Sequence, residues 1–202
     1  SPVGITMGIN ITSNNAFKKL ADKLKAEKNK KLEVGVMIPD VATYAMYLEY
    51  GWVQRVSGKQ NAYLSGILDL PIHDKDGNYI QNFGTLHLPA RPFMRDTYAK
   101  RRSDWTAKFK SRFLKTFDIQ HSLGIMGQMA TDDIKETIRN AGIPAGSFEK
   151  RSKLTMALLE ARGEMDKAKK SKGKGLLPNN VMTTKPLTLS GVLQSSITWK
   201  VS

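Results

Sequence analysis

The sequence predicts an α+β fold: a small, mostly antiparallel sheet covered by helices, one of them long and basic. Three observations carry that expectation. Apolar residues recur at helical spacing over most of the chain; two short stretches, 31–38 and 197–201, alternate instead with period two; and strands and helices do not alternate regularly, which argues against a parallel α/β sheet. The 202 residues suit one domain, 1–202, carrying an inserted excursion at about 57–87 and a basic flexible arm at about 147–182.

In chain order, Ser13 and Asn14 precede FKKLADKLKAEKNK, where Phe17, Leu20, Ala21 and Leu24 share one face and lysines fill the other. KLEVGVMI follows as a strand, with Gly35 marking a bulge or a close backbone approach. Pro39 and Asp40 open a helix whose buried stripe is Val41, Tyr44, Ala45 and Leu48, and Gly51 suits the left-handed position past its end. Residues 52–88 read as a strand, an excursion and a hairpin turning at DKDGN (74–78). Pro92 is placed as the first helical residue of a stretch in which Trp105, Phe109, Phe113 and Phe117 repeat every fourth position. Helical throughout, 92–117 makes a rod of roughly 40 Å. A further helix spans about 122–141, with Leu123, Met126, Ala130, Ile134, Ile138 and Ala141 inward and Gly142 and Pro144 ending it. A weakly amphipathic stretch then runs into KAKKSKGKG, too polar to bury, before a helical turn and the strand Ile197, Trp199, Val201.

Charge and composition restrict function. The formal net charge is +14, and residues 91–117 alone carry nine basic and two acidic groups. Such clustering suits phosphate or an acidic protein surface. Zero cysteines exclude disulfides, thiolate zinc sites and cysteine nucleophiles. No apolar run is long enough to span a bilayer, and the start SPVGITMGIN lacks signal-peptide character, so synthesis in the cytosol and no membrane contact are expected. DKDGN lacks the glycine and glutamate spacing of a calcium loop, His73, His87 and His121 lack zinc spacing, and KGKG is no phosphate loop. No cofactor, metal or catalysis is expected. A carboxylate pair among Asp69, Asp74 and Asp76 has no partner that would raise one pKa.

Three stretches taken together are similar to a known family. YAMYLEYG after a VGV strand, PARPFMRDTY opening a long helix, and KPLTLSGVLQSSITWKV near the C-terminus resemble, in that order, the neck or tail-completion proteins of long-tailed bacteriophages, also called virion morphogenesis or minor tail proteins. The resemblance covers about 31–142 and 185–201. It implies a non-enzymatic virion subunit at the head-tail junction, forming a ring around the DNA channel, as a hexamer or dodecamer. The implied partners are other copies of itself, a head-connector or head-closure protein, a tail terminator or tail tube, and transiently the packaged DNA. The excursion and the arm exceed the family pattern and are expected to be docking elements particular to one virion.

Within this reading, Tyr47, Glu49 and Tyr50 fall off the buried stripe and are expected at a subunit contact, where aromatic anchors are favoured. Tyr50 and Trp52 admit core packing equally. Arg91 and Arg95, which a helix start does not explain, are expected to meet an acidic neighbour. Lys100, Arg101, Arg102, Lys108, Lys110, Arg112 and Lys115 form a basic helix face for a DNA channel or an acidic partner rim, because so many like charges on one helix repel. Lys167, Lys169, Lys170, Lys172 and Lys174 belong either to a solubilising linker or to an arm that orders on assembly. Two rivals remain: a basic nucleic-acid-binding protein using the 92–117 helix and the lysine arm, and a hydrolase in the 57–87 excursion, which lacks a nucleophile-base pair.

Overall fold

The computed structural model describes residues 14–78, 80–170 and 191–202. The fold is α+β, with two small antiparallel sheets of two strands each, rather than one, among the described residues. Helix α1 (Asn14–Glu27) leads into β1 (Leu32–Val36), which pairs with the last strand, β4 (Ile197–Val201), Leu32 opposite Val201 and Val36 opposite Ile197. Helix α2 (Pro39–Tyr50) runs into β2 (Trp52–Arg55), which pairs with β3 (Thr85–Leu88) to close the base of the excursion.

The excursion is more ordered than its sequence suggested. Helix α3 (Gly58–Ile67) opens it with a reciprocal cap: Ser57 Oγ accepts from the Gln60 N–H at 3.3 Å, and Gln60 Oε1 accepts from the Ser57 N–H at 2.9 Å. The turn expected at 74–78 is present, with the Asp74 carboxylate accepting from the Asp76 and Asn78 amides at 2.9 Å each. Asp74 is consequently held below the usual carboxylate range, chiefly by the Asn78 amide.

Helices α4 (Phe93–Thr116) and α5 (Ile119–Asn140) form the framework. Pro92 caps α4 rather than standing within it, and its carbonyl accepts from Asp96 at 2.9 Å. The i, i+4 aromatic stripe is real but graded: Trp105 is buried, Phe109 and Phe113 are half-buried and stack at 6.0 Å, and Phe117 is exposed in a left-handed conformation. In α5 the expected stripe faces inward, with Leu123, Ala130, Ile134 and Ile138 buried. Asp118 caps this helix, and its carboxylate accepts from the His121 N–H at 2.8 Å. The core joins Ala45 and Leu48 of α2, Phe93, Ile134, Ile138, Phe148, Leu193 of α7 (Val192–Ser196) and Ile197 of β4.

The arm was expected to be flexible from 147. Instead Lys153–Lys170 form helix α6, packed on α3, where Arg162 reaches the Tyr63 hydroxyl at 3.3 Å. Leu154, Leu158 and Leu159 supply enough half-buried apolar surface to order the segment. Residues 171–182 of the proposed arm, including Lys172 and Lys174, lie outside the described residues, as do the side chains of Lys167, Lys169 and Lys170.

Glycines set the distance between sheet and helix. A Cβ at Gly127 would lie 2.8 Å from Leu32 Cδ1 and from Trp199 Cδ2. The indole lies flat against α5 at this point, and its Nε1 donates to Gln128 Oε1 at 3.3 Å. Gly127→Ala is therefore expected to destabilise the fold by about 1–3 kcal/mol through overpacking, read as a lowered denaturation midpoint; an unchanged midpoint would show that the sheet can slide off α5 freely. Gly35 proves to be a close approach rather than a bulge: pairing with Thr198 is regular, and Met94 Cε would sit 3.2 Å from an added Cβ.

Candidate functional site

The first two stretches that carried the resemblance, 44–51 and 89–98, meet at the N-terminus of α4. An α-helix begins with backbone N–H groups that have no partner within it. Here Glu49, from the end of α2, supplies the acceptor: Met94 N–H donates to Oε2 at 3.0 Å and Arg95 N–H to Oε1 at 2.9 Å. Arg95 Nε adds a third bond to Oε1 at 3.1 Å, and its Nη2 donates to the Glu49 carbonyl at 2.7 Å. The guanidinium also lies over the Tyr50 ring, 4.5 Å from its centroid. Gly51 turns the chain between them at φ 76°, where an added Cβ would meet Leu88 O and Ala90 N at 2.9 Å. Only glycine fits that turn.

Two expected contact residues are thus used inside the chain. Glu49 is only 5% exposed and Arg91 only 4%. Arg91 donates its backbone N–H to Leu48 O at 2.7 Å and its Nε to Glu149 O at 3.2 Å. Burial, and then the nearby Arg151 charge, lower its pKa, although a guanidinium remains protonated throughout the working range. Neither side chain is presented to a neighbour. Arg95 does reach the surface, half-exposed, but its acidic partner is the chain's own Glu49.

What α2 does present is aromatic. Tyr47 is 43% exposed and Tyr50 64%, and Tyr44 and Met46 are exposed with them. Tyr44 was expected in the buried stripe; α2 buries only the narrow line of Ala45, Leu48 and Glu49, and Tyr44 stands at its edge. Ile38 before the helix and Val53 after it are exposed as well, and charge borders the tyrosines: Asp40 is exposed on α2 and the Arg95 guanidinium lies over Tyr50. Trp52 is half-buried in β2 opposite Leu88.

The basic residues of α4 do not all share one face: at about 100° per residue Lys100, Arg101, Lys108, Arg112 and Lys115 fall within an arc of about 120°, while Arg102 and Lys110 lie outside it. Lys108, Arg112 and Lys115 line one cleft of about 300 Å³ with Ser111 and Ile125. Arg112 is half-buried and donates to His121 Nε2. Arg102 sits over the Tyr98 ring at 5.8 Å, and Arg101 makes one long contact with Asp104 at 4.0 Å. Lys100, Lys108, Lys110 and Lys115 are exposed.

Below this cleft, Asp118 joins α4, α5 and α1. Its pKa is lowered by the His121 amide and then by Lys23, 3.3 Å away. A depressed carboxylate contributes stability that is full above its unfolded pKa of ~4 and is lost as pH falls through the lower folded value. Asp118→Asn is expected to flatten stability below ~pH 4 while leaving the neutral-pH slope alone, a difference that urea titrations at pH 3 and pH 7 resolve.

Among the described residues no group of three or more histidine or acidic side chains is placed to hold a metal ion, and no helix is long and apolar enough to cross a membrane. The fold and surface define an α+β chain with exposed tyrosines on α2 and a cation-rich α4. Comparison with protein-family models, with curated proteins and with solved structures returns no match in any of the three.

Proposed function

We propose that the chain is a structural subunit of the neck of a tailed bacteriophage, one copy of a ring that joins the head connector to the tail around the DNA channel. The observation that carries this reading is that one subunit exposes two chemically unlike surfaces: the tyrosines of α2 and the cations of α4. A closed ring is a heterologous assembly, so each copy needs two different, complementary patches. Exposed tyrosines are efficient anchors for a contact between copies, while the cations suit a separate contact, with an acidic ring above or below or with the phosphates of DNA in transit. Further support comes from the way the three resembling stretches converge. Glu49 of the first caps the helix opened by the second, while Leu193 and Ile197 of the third enter the same core as Phe93.

Light scattering on the purified protein, at low and moderate salt and with or without duplex DNA, tests the proposal. A ring-sized mass is expected, indifferent to DNA, and reduced to single subunits by Tyr47→Glu with Tyr50→Glu. The second reading, a nucleic-acid-binding protein, is favoured by the exposed lysines of α4. It requires instead a monomer that binds duplex DNA tightly and releases it steeply as salt rises.

A further inference from the structure

The cleft between α4 and α5 is concave and cationic. Lys108, Ser111, Arg112 and Lys115 line it from α4 and Ile125 from α5, around a volume of about 300 Å³. Helical spacing brings the α4 residues together, because positions three, four and seven apart share one side of a helix. Arg112 lies between the two lysines, whose flexible four-carbon stems let both ammonium groups turn toward it.

The guanidinium is aimed but not neutralised. Arg112 is half-buried, and its Nε and Nη2 both donate to His121 Nε2, at 3.3 and 3.1 Å. A guanidinium only donates, so Nε2 is the acceptor and the ring proton stands on Nδ1. The imidazole therefore holds the fork in place without supplying a negative charge. No carboxylate supplies one either. Among the described residues none pairs with Lys108, Arg112 or Lys115: Asp104 turns to Arg101, and Asp118 is taken up by Lys23 and the start of α5. Like charges held this close on one helix repel, and a bound anion relieves that repulsion.

We propose that this cleft binds a phosphate dianion, inorganic phosphate or a phosphate monoester, with Arg112 as the fork, Lys108 and Lys115 as flanking charges and the Ser111 hydroxyl as a further donor. The donor set selects the ligand. Three cations without an acid among them call for more than one negative charge at one point. A phosphate monoester carries nearly two near neutral pH and offers three acceptor oxygens. A single carboxylate or a backbone phosphodiester carries one charge on two free oxygens, too little to engage the fork, both ammonium groups and the hydroxyl together. The site belongs to the subunit alone, so a monomer in light scattering would sink the ring and leave this inference where it stands.

Titration of the full chain with inorganic phosphate, at fixed pH and ionic strength, tests it by NMR at the His121 ring and the Arg112 Nε–H. Saturable shifts at both are expected. In Lys108→Gln with Lys115→Gln the affinity is expected to fall at least about tenfold, with amide signals elsewhere unchanged to report the fold. Arg102→Gln with Lys110→Gln removes the same charge from outside the cleft and is expected to leave the affinity as it was. Shifts that do not saturate, or equal weakening in both variants, would mean diffuse screening and overturn the proposal. A short DNA duplex and a poly-glutamate peptide, each matched in anionic groups, are expected not to displace phosphate. Displacement by the duplex would give the cleft to a nucleic-acid backbone, and displacement by the peptide to an acidic protein; either overturns the assignment.

Discussion

Replacing Glu49 with alanine is expected to cost the fold about 2–4 kcal/mol, more than the loss of any exposed ion pair. The carboxylate is buried and accepts three N–H bonds, two of them from backbone groups at the start of α4 that have no other partner among the described residues. Its negative charge also faces the positive end of a 24-residue helix. Truncation removes the acceptor and leaves those donors desolvated, which is the expensive direction in which to break a hydrogen bond. Arg95→Ala breaks the same salt bridge from the other side and is expected to cost only about 1 kcal/mol, because Arg95 is half-exposed and Glu49 keeps both backbone donors. Glu49→Gln retains one acceptor oxygen and should fall between them. Urea denaturation of the three variants, with the slope unchanged, orders the costs. Equal midpoints for Glu49→Ala and Arg95→Ala would mean that the ion pair, and not the helix cap, is what Glu49 contributes.

That cap also shows what was legible in the sequence. The stripe of α5 was readable because every contact it makes follows from one period: Leu123, Ala130, Ile134 and Ile138 are inward wherever the helix is placed. Gly51 and the DKDGN turn were readable because the backbone itself demands those residues. Glu49 was not. A charged residue off the apolar stripe reads as surface, and its burial depends on donors 45 and 46 residues further along the chain. The same limit governs Arg91, whose side chain finds its acceptor 58 residues away. Helix α3 did leave a signal, the Ser57 and Gln60 spacing of a reciprocal cap, hidden in a stretch with little amphipathic character. Helix α6 was obscured by the lysine run at its end, which outweighed the leucines before it. A count of charges also overstates the basic face of α4, because at about 100° per residue Arg102 and Lys110 fall outside the arc of about 120° that holds the other five cations.

Phe93 is the largest fully buried side chain among the described residues, and Phe93→Ala is expected to cost about 3–5 kcal/mol. Its side chain is 0% exposed and packs with residues from α2, α5, α7, β4 and the loop holding Phe148. It is thus the point where otherwise separate elements share one contact surface, and they cannot all collapse into the same cavity. A domain of this kind has about 5–15 kcal/mol to lose, so the variant should unfold at a clearly lower temperature. Phe93→Leu, which keeps most of the volume, should cost less than about 1.5 kcal/mol. Phe117→Ala, on the same aromatic repeat but exposed, should have a small effect, since it gives up only an edge contact with Phe113 at 5.9 Å. Thermal unfolding of the three separates a packing role from a general need for aromatics along α4: the costs must follow burial. If Phe117→Ala proves as damaging as Phe93→Ala, the core drawn around Phe93 is not where the stability of this chain resides.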